Sequence, residues 1–274
     1  MLLAVVGTGL IGGSFALAAR RQRLFDEIVG VEPDAAHGRR ALALGLVDRL
    51  AEDVPPNADA VLLAGPSQTI APWVVRLAGH AGVVFDAGSV KGAVLEQVRG
   101  GCAGELPPRF VPCHPLAGSE RSGPDAAAAD LYRDAEVIVT PGSETDTAAV
   151  EQVSGWWRAI GARVLTMDPD SHDAILAVTS HLPHLLAFAY LQQVRDGHLP
   201  HTAGGFRDFT RIGAADADMW APIFELNRTP LLAALDDLEA SLIRARTLLN
   251  DADGGGLRDF IRQAGTRRGA PDRD

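Results

Sequence analysis

Lysine is nearly absent from this chain. Lys91 is the single lysine among 25 basic residues, so arginine carries almost all of the positive charge. The usage looks like a bias that replaces lysine wherever either cation serves, and a surviving lysine hints that a compact ammonium is wanted there. Cysteine is equally scarce. Cys102 and Cys113 alone supply no disulfide framework and suit a reducing cytoplasm. A basic excess is missing too: the formal charge is −10, which argues against a nucleic-acid partner but leaves room for a local basic pocket around an anionic substrate. No uninterrupted apolar run approaches the length needed to cross a membrane. The first apolar stretch, from Leu2, is read as a strand of the fold and not as a signal peptide. The sequence carries no internal repeat. With 47% apolar and 22% charged residues over 274 positions, the expectation is a soluble, cytoplasmic, enzyme-sized protein that can bury two cores.

What is present begins at the N-terminus. Leu2-Leu3-Ala4-Val5-Val6 reads as a buried strand and runs into Gly7-Thr8-Gly9-Leu10-Ile11-Gly12-Gly13-Ser14. A helical pattern follows to about Arg21, then a strand over 28–31 ending on Glu32. GxGxxG alone is a weak signal, but strand, helix and acid in this order make a dinucleotide site. Gly7 makes the tight turn, Gly9 lets the backbone approach a pyrophosphate, and Gly12 lets helix and strand pack closely. The helix start at Leu10 and Ile11 offers free N–H groups to the phosphates. A carboxylate at Glu32 accepts ribose hydroxyls and repels a 2′-phosphate, which favours NAD over NADP. Arg39 and Arg40, just downstream, keep NADP open.

The alternation of strands and helices continues. Helices are expected over 35–44, 70–78 and 145–160, and strands over 60–64, 83–86, 110–113, 136–140 and 163–167. That pattern indicates a parallel, doubly wound sheet with ligand loops at the carboxyl ends of its strands. Around Asp168 it changes to long apolar helices over 171–195 and 216–250. Residues 1–167 are therefore expected to form the dinucleotide-binding domain and 168–250 a helical domain, with 251–274 a flexible tail. Helices too apolar for one small domain favour a helix-mediated homodimer.

Four segments carry candidate chemistry. In Asp86-Ala87-Gly88-Ser89-Val90-Lys91, Ser89 is either a helix cap or a hydroxyl at the reacting centre, and the two roles are compatible. His114, fixed by Pro115 at a strand's carboxyl end, is placed to take an alcohol proton near neutral pH. His181 and His184 flank Pro183, which should kink its helix; His-x-x-His lacks a third ligand at metal spacing. Between Gly204 and Gly213 lie Arg207 and Arg211, one suited to pair with Asp208 and the other to grip a substrate carboxylate. Trp220 either walls the same pocket or packs in the core.

In their order along the chain, segments 7–14, 86–91, 114–123, 180–184 and 206–213 resemble the prephenate/arogenate dehydrogenase family of tyrosine biosynthesis, over residues 2 to about 250. The resemblance implies an α/β Rossmann-type domain followed by an all-α dimerisation domain. It implies NAD-dependent oxidative decarboxylation of prephenate to 4-hydroxyphenylpyruvate, of arogenate to tyrosine, or of both as in a cyclohexadienyl dehydrogenase. By motif, His114 would accept the proton of the substrate's ring hydroxyl as hydride leaves for the nicotinamide, and Ser89 would hold that hydroxyl. Arg211 would bind a substrate carboxylate, His181 would place the substrate from the helical side, and Trp220 and Lys91 would complete the pocket. Gly7, Gly9, Leu10, Ile11, Gly12 and Glu32 would hold the dinucleotide, and no metal is implied. Two other readings stand beside it. A β-hydroxyacid or imine dehydrogenase is expected to carry a catalytic Lys or Asp in its helical part, whereas no lysine follows Lys91. An NAD(H) sensor has no need of His114, Ser89 and Arg211 together.

Overall fold

The computed structural model describes residues 1–119 and 121–269. Its contacts divide the chain into two compact units, Met1–Arg228 and Thr229–Asp274. In the first, β1 (Leu2–Val6), β2 (Glu27–Val31), β3 (Arg49–Ala51), β4 (Ala60–Leu63), β5 (Val83–Asp86) and β6 (Phe110–Val111) form one parallel sheet, in the order β3-β2-β1-β4-β5-β6. The helices α1 (Leu10–Arg21), α2 (Ala35–Ala43), α3 (Ser67–Arg76) and α4 (Gly92–Gly101) connect these strands, as parallel pairing requires. The central strands read as plain apolar runs because both of their faces are covered. Leu3 and Val5 join one buried cluster with Phe15, Phe85 and Trp157. Leu2, Ala4 and Val6 join a second with Val61, Leu63 and Val94. Strand order reverses at β1, which sits between β2 and β4, so the ligand crevice opens above the glycine turn.

The remaining strands do not extend that sheet. β7 (Cys113–Pro115), β8 (Glu136–Val139) and β9 (Arg163–Thr166) form a separate one in which β7 runs antiparallel to β8. The expected single strand over 110–113 is split at Pro112, which has no N–H to give a ladder. β3 carried no sequence signal, being three mostly exposed residues without alternation. α5 (Thr147–Ala159), capped by the Asp146 side chain, connects β8 to β9.

From Asp168 onward the unit is helical: α6 (Pro169–Leu176), α7 (Leu182–Leu191), α8 (Gly204–Thr210) and α9 (Ala217–Leu226). The change of pattern at 168 marks a change of secondary structure, while the division between compact units falls after Arg228. The reason is packing: Val90 clusters with Trp220 and Ile223 of α9, and Asp173 of α6 accepts the N–H groups of Lys91 and Gly92 at the start of α4. Between α6 and α7 the residues Ala177–His181 form a π turn, and Pro183 falls in the first turn of α7. The widened turn absorbs the hydrogen bond that proline cannot make. The stretch Pro169–Leu191 is long and apolar enough to cross a membrane by length and composition, with mean hydropathy 1.5. Buried within it, however, are His172, Asp173 and His181, whose partners are all inside this unit. The second unit is built of α10 (Arg228–Asn250) and α11 (Gly254–Arg268). Of the expected flexible tail, residues 254–268 are thus helical, because the Asp253 side chain caps the helix at Gly256; residues 270–274 lie outside the described residues.

The lone lysine joins the two sheets. Asp86 at the end of β5 and Lys91 are 0% and 1% exposed, and the ammonium Nζ donates to Asp86 Oδ2 and, at 2.6 Å, to the carbonyl of Cys113. Asp86 Oδ1 accepts the Cys113 N–H at 2.7 Å, and Oδ2 accepts the Gly88 N–H at 2.9 Å. Against the expected substrate contact, the Lys91 ammonium is buried and spent on Asp86 and Cys113. Removing one partner of a buried pair strands the other charge, at about 3–5 kcal/mol. Lys91→Ala is expected to lower the unfolding free energy by about that much in denaturant titration. An unchanged midpoint would return Lys91 to the substrate.

Candidate active site

The dinucleotide end of the site is set by backbone. Gly7 sits at φ +91°, where a side chain is strained, and a Cβ there would meet the Ala64 carbonyl oxygen at 2.8 Å. A Cβ on Gly12 would meet the Gly7 carbonyl oxygen at 2.1 Å, so α1 can approach the turn only with glycine. Gly9 is different. Among the described residues beyond its chain neighbours, nothing lies closer than 3.9 Å to its would-be Cβ, and none of their side chains caps α1. The first-turn N–H groups, at Leu10 and Ile11, are thus left to an anion. Glu32 is fixed over this turn: Oε2 accepts the Thr8 N–H at 2.8 Å and its hydroxyl at 3.1 Å, and Oε1 accepts the Asp34 N–H at 3.2 Å. Arg40 is engaged with Asp125, its Nε donating at 2.9 and 3.1 Å. These features fit a dinucleotide with free ribose hydroxyls.

The second end is built from β7, α6, α7 and α9. His114 on β7 is 8% exposed, and its Nδ1 lies 2.8 Å from His172 Nε2. His172 Nδ1 in turn lies 2.7 Å from Asp173 Oδ1. Burial, with smaller contributions from the neighbouring His172, the Lys91 ammonium and His181, holds the His114 pKa well below the usual imidazole value. His114 is therefore neutral near pH 7 and fit to accept a proton.

Ser89 lies half-buried on the loop between Asp86 and Lys91. The cap of α4 comes from Asp173 through the N–H groups of Lys91 and Gly92. The Ser89 hydroxyl is thereby not used as the cap of that helix.

His181 ends the π turn, and its Nδ1 is 2.8 Å from Asn227 Nδ2, which also donates to the carbonyl of Asp173 at 2.9 Å. Burial pushes the His181 pKa down to about 4, against an opposing pull from Asp173. His184 stacks on Trp220 with ring centroids 3.6 Å apart, and its Nδ1 donates to the Ser180 carbonyl. Trp220 also packs on Val90 and Ile223 in the core. Arg211 opens the short helical turn Arg211–Ala214, which lies against α7 closely enough that a Cβ on Gly213 would meet Leu191 at 2.5 Å. Its charge reaches His184, whose pKa is lowered chiefly by burial and further by Arg211. His114, His181, Trp220 and Arg211 are thus drawn together from segments far apart in sequence.

Sequence reasoning missed Asp86, His172, Asp173 and Asn227. His172 and Asp173 sit directly behind the Asp168-Pro169 break, a signal that marked a boundary but not a function. Asn227 follows an apolar helix and carries no local signal. Among the described residues no group of His, Cys, Asp or Glu is arranged to hold a metal. Two buried polar atoms here, Trp220 Nε1 and Asn227 Oδ1, have no hydrogen-bond partner among the described residues. Orphans of that kind gather at functional sites.

Comparison with known proteins agrees with this geometry. The family model for the nucleotide-binding domain of prephenate dehydrogenase matches residues 15–166, and that for its dimerization domain matches 168–263. The first match starts beyond the glycine turn, which the geometry above establishes separately. A cyclohexadienyl dehydrogenase of Zymomonas mobilis is 34% identical over 278 residues, covering 96% of this chain and 93% of that protein. A prephenate dehydrogenase of Bacillus subtilis is 33% identical over 279 residues, covering 95% of this chain and 73% of that one. The crystal structure of prephenate dehydrogenase from Aquifex aeolicus, in complex with hydroxyphenyl propionate and NAD+, has a TM-score of 0.90 at 31% identity and covers 98% of this chain and 97% of its own. With both domain models matched in order along most of its length, the chain belongs to the prephenate dehydrogenase family.

Proposed function

We propose that this protein catalyses the NAD-dependent oxidative decarboxylation of prephenate to 4-hydroxyphenylpyruvate, the step toward tyrosine. The observation that carries the reading is His114, a buried imidazole whose pKa is held low, in a chain whose glycine turn and acid fit a dinucleotide. NAD, when bound, supplies the acceptor for the hydride of the carbinol carbon. His114 takes up the hydroxyl proton as charge shifts and returns it to the phenol oxygen once carbon dioxide has left, so no net proton is consumed. Ser89, free of capping duty, holds the same hydroxyl. Arg211 binds a carboxylate of the dianionic substrate, His181 places it from the helical side, and Trp220 forms the wall. Glu32 with Gly7, Gly9, Leu10, Ile11 and Gly12 holds NAD, and Arg40, spent on Asp125, does not serve a 2′-phosphate. The scarcity of cysteine supports a cytoplasmic setting.

The enzyme is a homodimer in this reading, joined through its C-terminal helices. In the second unit Leu242, Ile243, Leu249 and Ile261 are each at least 57% exposed, and such side chains on one long helix pair favour a partner. Replacing Leu242 and Ile243 together by Glu is expected to convert dimer to monomer in sedimentation velocity. A monomeric parent protein, or a double variant that stays dimeric, would remove this surface from the interface.

Initial rates over the four pairings of prephenate or arogenate with NAD or NADP test the reaction itself. NADH should form fastest with prephenate and NAD. A higher kcat/KM with arogenate would reassign the substrate, and no reduced cofactor in any pairing would end the reading. His114→Asn and Arg211→Ala should separate two kinds of loss. The first should lower kcat by about 10²-fold or more, while the second should mainly raise KM. For the parent enzyme, kcat/KM should hold as pH falls through 6.5 and decline only below it, because His114 protonates below its ordinary pKa. Unchanged kcat in His114→Asn would remove His114 as the base.

A further inference from the structure

A histidine can accept a substrate proton only if the correct ring nitrogen is bare, and the network behind His114 decides which one is. The network begins at the start of α4. Asp173 accepts the Lys91 N–H on Oδ1 at 2.9 Å and the Gly92 N–H on Oδ2 at 2.8 Å, so both of its oxygens already act as acceptors. The third contact, from His172 Nδ1 at 2.7 Å, must then be a donation by the ring. A neutral His172 protonated on Nδ1 presents a lone pair on Nε2. That lone pair faces His114 Nδ1 at 2.8 Å, which must supply the hydrogen. The proton of His114 is thereby held on Nδ1, and Nε2 is bare.

The same residue governs the second histidine by its main chain. The carbonyl of Asp173 can only accept, so the Asn227 atom 2.9 Å from it is the amide nitrogen and not the amide oxygen. The other hydrogen of that nitrogen points to His181 Nδ1 at 2.8 Å. Nδ1 of His181 is therefore the acceptor, and its proton sits on Nε2. We propose that Asp173 sets the two active-site histidines in opposite tautomers. Through His172 it makes His114 a proton acceptor at Nε2, and through Asn227 it makes His181 a hydrogen-bond donor at Nε2. His172, Asp173 and Asn227 are positioning residues for the reaction proposed above: the acceptor serves the substrate hydroxyl and the donor serves a substrate oxygen. A His172 donating from both ring nitrogens would reverse the first assignment, but it would place an added charge on a ring that is 0% exposed.

The test reads tautomers directly. In full-length protein labelled with 15N-histidine and without substrate, two-bond 15N–1H correlation should show His114 protonated on Nδ1 and bare on Nε2, with His181 the reverse. His114→Asn and His181→Asn assign the two rings. Finding His114 protonated on Nε2, or His181 on Nδ1, overturns the proposal, whichever substrate the enzyme prefers. A second measurement ties tautomer to turnover. His172→Gln keeps an acceptor for the His114 Nδ1–H, whereas His172→Leu has none. The Leu variant should lose about 10²-fold or more in kcat with a smaller change in KM, and the Gln variant should recover at least tenfold of it. Equal rates in the two variants, with both folded by their thermal midpoints, would also overturn it.

Discussion

The site depends on one buried ion pair. Asp86 ends β5 and Lys91 begins the approach to α4, so their contact closes the loop that carries Ser89. The same two side chains take the N–H and the carbonyl of Cys113, one residue before His114. That attachment replaces what Pro112 forbids. Where a proline interrupts the ladder, β7 cannot be held to β5 by ordinary strand pairing, and a carboxylate and an ammonium do so instead. The single lysine of the chain thus has a reason. Its tip must reach two acceptors in a space that excludes water, which suits a compact ammonium and not the broad fork of arginine.

Much of this architecture was legible in the sequence, and the exceptions share one cause. The glycine turn, Glu32, the strands over 60–63 and 83–86 and the helix after Asp146 all declare themselves locally, through turn glycines, an acid at a strand end, apolar runs and a capping carboxylate. His114, Ser89, His181 and Arg211 stand out as candidates because each lies in a short segment with its own punctuation. What escaped was defined by contacts distant in sequence. Lys91 looked like a ligand because the sequence does not show that Asp86 and Cys113 consume it. Asp173 contacts Lys91 across 82 positions and Asn227 contacts His181 across 46, and no local pattern announces such pairs. Pro112 was visible, but its consequence, a second sheet with an antiparallel pair, depends on where β8 comes to lie.

A helical stretch apolar enough by composition to cross a membrane carries a buried polar network. Within Pro169–Leu191, His172, Asp173 and His181 are buried; His172 bonds to Asp173 within α6, and their other side-chain contacts go to β7, the start of α4 and Asn227 behind α9. An apolar helix tolerates these groups because they satisfy one another, and a buried polar group left unsatisfied costs about 1–3 kcal/mol. Asn227 Oδ1 is such a group among the described residues. Turning the amide would not relieve it, since the oxygen would then confront the Asp173 carbonyl at 2.9 Å. The fold thus retains an orphaned oxygen while both hydrogens of the amide are committed, one to Asp173 and one to His181. An apolar side chain at that position would remove the orphaned oxygen but strip the buried His181 Nδ1 of its donor, so the amide keeps that bond with the orphan beside it. Its cost is accounted for if the direction of the hydrogen bond at His181 is what the site requires.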